Sequence, residues 1–82
     1  MIRRISSIKT LPDYKLFVHF DEGRDVVYDV ADDISTIKAF EDLRTLPGLF
    51  ENARLDSSRT CVVWSDRIDL PSDAIYEYGV RV

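Results

Sequence analysis

Apolar and polar positions alternate most regularly between Tyr14 and Val30. Leu16, Val18 and Phe20 alternate with Phe17 and His19, the period of two expected of a strand. Asp21-Glu22-Gly23 follows as a short polar loop, and glycine supplies the positive φ that a bulged hairpin loop needs. A second β-rich run, Val26 to Val30, returns. If Phe20 pairs with Arg24, then Val26, Tyr28 and Val30 share a face with Leu16, Val18 and Phe20.

Upstream, Ile2, Ile5, Ile8 and Leu11 are apolar at every third position, a spacing that fits neither strand nor helix. The β-branched isoleucines with Ser6, Ser7 and Thr10 favour a short strand, and Pro12-Asp13 marks a turn. After Val30 the spacing widens to Ile34, Ile37, Phe40, Leu43 and Leu46, which predicts one helix over 35–45. Asp33 or Ser35 is the expected N-cap, and Pro47-Gly48 the stop. The helix's apolar stripe should lie on the sheet, leaving Lys38, Glu41, Asp42 and Arg44 in water.

Phe50 to Leu55 and Thr60 to Trp64 read as a second hairpin around the turn Asp56-Ser57-Ser58-Arg59. Ser65-Asp66 interrupts it and Ile68-Asp69-Leu70 continues. Pro71 suits the first turn of a short terminal helix, which Ile75, Tyr76 and Tyr78 would fold back onto the sheet. The expected class is α+β: a small antiparallel sheet of two hairpins plus an N-terminal strand, one central helix and a short C-terminal helix.

The chain has 82 residues, enough for one domain over 1–82 with a small core. Net charge is −4, and Arg3, Arg4 and Lys9 form the one basic cluster. That is a thin footprint for displacing counterions, so no nucleic-acid partner is expected. No apolar run approaches the roughly 20 residues that cross a bilayer. With a single cysteine and no signal-peptide pattern, the expected compartment is the cytosol.

Residues able to carry chemistry are few. His19 is the single histidine and has no nucleophile assigned to it. Cys61 lies beside Val62 and Val63, with no visible cation to lower its pKa, and reads as a small hydrophobe. Asp21, Glu22, Asp25, Asp32 and Asp33 match no calcium loop and suit turns and caps. No cofactor, no metal and no enzymatic activity are expected. The constellation of most interest is Trp64 with Asp66, Asp69 and Tyr76, an aromatic near carboxylates and a hydroxyl that could anchor a partner. The alternative is that Trp64 packs the terminal helix onto the sheet. Thr60 to Trp64 is uncharged, β-rich and free of internal proline. It is therefore also the expected associating edge, with Val63 as the position whose charge substitution would test it, unless it is a buried central strand.

Taken in order, these residues resemble a known family. The string Leu16-x-Val18-x-Phe20-Asp21-x-Gly23, then Tyr28-Asp29-Val30, Phe40-x-x-Leu43, Phe50 with Ala53-x-Leu55, Val62-x-Trp64, Ile68-Asp69-Leu70 and Asp73-x-x-Tyr76 is similar to the bacterial domain-of-unknown-function family 2442. The family's tryptophan-proline pair is Trp64-Ser65 here, and its glycine before Ile-Asp is Arg67. The resemblance implies a small α+β domain and no established activity. It also implies an antitoxin-like pairing with a small protein of domain-of-unknown-function family 4160. The expected function is thus a small cytosolic protein-interaction module, the expected partner-binding residues being Val63, Trp64, Asp66, Asp69 and Tyr76, with a separately encoded protein or a second copy as partner. The competing reading is a small-molecule-binding, sensor-type domain.

Overall fold

In the computed structural model, which describes residues 3–82, the alternation of Leu16, Val18 and Phe20 becomes strand β2 (Lys15–Phe20). It pairs with β3 (Asp25–Asp29) in the register expected from the loop, with Val18 opposite Val26 and Leu16 opposite Tyr28. The Phe20 N–H donates to the Arg24 carbonyl at 2.9 Å, and Gly23 turns the loop at φ +97°.

The third-residue spacing at the start of the chain has a physical explanation. Strand β1 (Ile5–Leu11) is antiparallel to β2, and its register shifts between Ile5 and Ser7. The bulge at Ser6 lets Ile5 and Ile8, three residues apart, both point inward. Ile5 is fully buried, and Ile8 packs against the core. Ile2 lies outside the described residues.

The predicted central helix is corrected by the structure. Instead of one helix over 35–45 there are α1 (Ala31–Thr36), a 3₁₀ turn (Lys38–Glu41) and α2 (Asp42–Thr45). A spacing of three drifts around an α-helix of 3.6 residues per turn, so its stripe cannot stay on one face. The break realigns it. Ile34, Phe40 and Leu43 are buried, while Ile37 and Leu46 sit in extended links with much of their surface in water. Ser35 and Thr36 donate to their own i−4 carbonyls, on Ala31 and Asp32. Neither Asp33 nor Ser35 caps the helix. The cap position is Val30, with the Ala31 N–H held by Asp29 Oδ1 at 3.0 Å.

The predicted strand from Phe50 is also corrected. Phe50–Asn52 is a 3₁₀ turn and only Arg54–Leu55 forms β4. Strands β5 (Cys61–Ser65) and β6 (Ile68–Pro71) complete a three-stranded sheet of order β4-β5-β6. Strand β5 is therefore central, and its expectation as an open edge is overturned. After β6, α3 (Ser72–Tyr78) packs Ile75 into the core. Tyr76 lies edge-on to Phe20 at 5.2 Å, while Tyr78 points into solvent. Strand β7 (Val80–Arg81), which the sequence pattern did not announce, joins the first sheet in the order β1-β2-β3-β7.

One core serves both sheets. It combines Leu16, Val18, Phe20, Val26 and Tyr28 from the first with Val62, Trp64, Ile68 and Leu70 from the second. Arg59 fastens the two together. Its carbonyl accepts the Ile5 N–H at 2.8 Å, and its guanidinium reaches the Ile5 carbonyl and both oxygens of Asp21.

Candidate functional site

Directly opposed residues of paired strands project from the same face of a sheet. Lys9 faces Phe17, Phe17 faces Val27, and Val27 faces Val80. These four residues form a row across the first sheet, on the face away from Val18 and Val26. Phe17 and Val27 are half-buried and Val80 is 67% exposed. A second row runs beside it: Ser7, His19 and Asp25, with Val82 (66% exposed) donating its N–H to the Asp25 carbonyl at 3.1 Å. His19 Nδ1 bonds Asp25 Oδ1 across the strands, which gives the lone histidine a partner in this row. An antiparallel sheet facing water normally shows polar residues there. The outer face of the first sheet instead carries contiguous apolar surface.

The row ends at an open edge. Antiparallel partners alternate between hydrogen-bonded and non-bonded pairs. Val82 bonds Asp25, so Val80 opposite Val27 is the next bonded pair and Arg81 opposite Val26 is non-bonded. The Arg81 N–H and C=O therefore point away from β3. Gly79 makes this strand possible through close approach, its own φ being ordinary. A Cβ there would come within 2.1 Å of Val26 Cγ1 and 2.6 Å of the Ile75 carbonyl.

On the opposite side of the same edge, Arg24 and Arg81 line an open cleft of about 350 Å³ with Glu22, Gly23, Asp25 and Val82. Arg24 also lines a neighbouring cleft of about 550 Å³ with Arg3, Asp73, Tyr76 and Glu77. The Arg3 and Arg24 guanidiniums lie 3.8 and 4.3 Å from the centre of the Tyr76 ring, within cation–π range. Glu22 accepts from Arg3 at 3.1 Å and from the Tyr76 hydroxyl at 3.2 Å.

The predicted constellation is not brought together. Trp64 is 2% exposed, its ring against Phe40 and Phe50 and its indole N–H on the Phe50 carbonyl at 2.9 Å. It thus packs the 40–50 segment onto the second sheet, not the terminal helix. Tyr76 belongs to the Phe20, Arg3 and Arg24 cluster. Asp66 is exposed in the β5–β6 turn, where the Arg67 N–H bonds Ser65 Oγ at 3.3 Å. Asp69 is exposed opposite a half-buried Val63. Cys61 is half-buried, and burial with the nearby Asp56 and Asp69 carboxylates pushes its thiol pKa up, away from reactivity. Asp21 is held below its ordinary value by the Arg59 hydrogen bond, and Asp56 by that from Ser58. Among the described residues, no group of His, Cys, Asp and Glu is placed to hold a metal ion.

Strand register thus brings Phe17, Val27 and Val80 together, and the sequence reading had not singled them out. The signal was present as a second apolar phase. Phe17 and Val27 sit at positions where the alternation calls for polar residues.

A family model, described as protein of unknown function (DUF2442), matches residues 5–81. The chain belongs to the DUF2442 family. The match runs from the first residue of β1 through β7, so both sheets and the open edge lie inside the DUF2442 domain. No curated protein and no solved structure matches the chain.

Proposed function

We propose that the chain is a cytosolic, non-catalytic protein-interaction module that engages its partner through the outer face of the first sheet and the β7 edge. The observation that carries this reading is the row Phe17, Val27 and Val80, contiguous apolar surface that ends beside main-chain groups with no strand to pair with among the described residues. Exposed apolar patches mark interaction sites, and edge pairing supplies main-chain hydrogen bonds for affinity. The partner we propose is a separately encoded small protein, in the antitoxin-like arrangement that the family resemblance implies. The clefts at Arg24 are open and lined by charged side chains, which favours a protein surface over the apolar pocket that a sensor of small molecules would use.

The test is a pull-down from the native host with wild-type and Phe17→Ser/Val80→Asp baits, followed by mass spectrometry. A specific prey held by the wild type and lost by the doubly substituted bait supports the reading. Equal recovery by both baits, or no prey above a tag-only control, sinks it.

A further inference from the structure

We infer that the β7 edge receives an extended segment of another protein in which an acidic residue stands between two apolar ones. This rests on the interaction reading above and adds the chemistry of the partner. The register supplies the pattern. Arg81 is the β7 residue whose N–H and C=O face the open edge, so it is the one that would form a hydrogen-bonded pair with an incoming antiparallel strand. Its side chain shares the sheet face of Val26, the side on which Arg24 also lies. The incoming residue opposite Arg81 projects to that same side and meets both guanidiniums. Its two neighbours project to the other side, beside Val80 and Val82.

The electrostatics favour a carboxylate at the central position. Neither Arg24 nor Arg81 has a hydrogen-bond acceptor for its guanidinium among the described residues. The carboxylates lining the same cleft are engaged elsewhere, Glu22 by Arg3 and Tyr76 and Asp25 by His19. Arg24 is held against the Tyr76 ring at 4.3 Å, so less ordering is required when it binds an anion. A second copy of the chain does not fit this edge. Antiparallel self-pairing about Arg81 sets Arg81 against Arg81, and directly opposed like charges destabilise a strand pair.

The test selects binders from a displayed library of random peptides, on the wild-type domain and on Arg24→Gln/Arg81→Gln, and maps the strongest binder by amide chemical shifts. The expected binders carry Asp or Glu between apolar residues and shift the Arg81 amide. They weaken roughly fivefold on the glutamine variant, as two exposed ion pairs imply, and are retained by Arg24→Lys/Arg81→Lys. A basic or uncharged central residue overturns the inference, as does equal binding by the glutamine variant. If such a peptide still shifts the Phe17, Val27 and Val80 amides, the interaction reading survives alone. No binder, or a binder that shifts neither Arg81 nor that row, overturns both.

Discussion

The two sheets share one core yet present different outer faces. In the second sheet the middle outward residue of the central strand, Val63, is flanked by Arg54 on one side and Asp69 on the other. In the first, Phe17 is flanked by Lys9 and Val27, and Val27 by Val80. An apolar side chain between opposite charges is screened by their stems and hydration. One whose cross-strand neighbours are also apolar becomes part of a surface. The strand with the more uncharged sequence, Cys61-Val62-Val63-Trp64, is therefore the one whose outward Val63 lies between charges.

The inner faces should be equivalent, and this carries the largest expected effect. Phe20 and Phe40, both buried, come from the first sheet and from the 3₁₀ turn over the second. Each truncation to alanine should cost about 3–5 kcal/mol in urea unfolding. A loss near 1 kcal/mol at either position would show that its half of the core is loosely packed.

Gly79→Ala tests how the open edge is held. The added methyl meets the Ile75 carbonyl and Val26 Cγ1, so α3 and β7 must separate, at a cost of about 1–3 kcal/mol. Faster hydrogen exchange at the Val82 amide, which bonds Asp25, is the expected local sign. An unchanged exchange rate would mean that β7 is not held by that approach.

The outer faces should separate binding from stability. Phe17→Thr and Val63→Thr are each expected to shift stability by about 1 kcal/mol or less, since neither residue is fully buried. Partner binding should fall with Phe17→Thr and stay constant with Val63→Thr. The reverse pattern would return the interface to the second sheet.

The smallest effects are in pH. Asp21 has a depressed folded pKa, caused first by the Arg59 hydrogen bond and then by Ser6. Its contribution is complete above its ordinary value of 3.8 and is lost as pH falls through the depressed one. Asp21→Asn should flatten the acid limb of a melting-temperature profile. Tyr28 behaves oppositely. Burial, with the hydrogen bond to Asp33 Oδ2 at 2.7 Å, raises its pKa. That contribution holds below the ordinary 10.0 and fades as pH rises beyond it, a decline that Tyr28→Phe should remove.

What could be read from sequence followed from local rules. The β2–β3 register, the glycine turn, the core residues of both strands and the α+β class all came from alternation and turn chemistry. The central helix did not, because apolar residues three apart are compatible with a 3₁₀ turn as well as an α-helix, and nothing local marks Ile37 as the extended break between them. Strand β7 was hidden because two residues carry no periodicity; its existence depends on a close approach at Gly79. The placing of Trp64 and Tyr76 in separate clusters is a tertiary fact that spacing cannot encode. Phe17 and Val27 were visible, but their meaning depended on strand order.

Arg59 has a consequence for how fast the protein comes apart. Its backbone is left-handed at φ 60°, and its guanidinium closes on the Ile5 carbonyl across 54 positions of sequence. The same guanidinium reaches Asp21 in the β2–β3 loop across 38 positions. Contacts of long sequence separation made late in folding leave the folding rate nearly untouched and act on unfolding. Asp21→Ala is therefore expected to speed unfolding more than it slows folding in a urea chevron, and only modestly, because the Arg59–Asp21 pair is solvent-exposed. The join between β1 and the second hairpin is made by Arg59 on Ile5, through its backbone carbonyl and its guanidinium together.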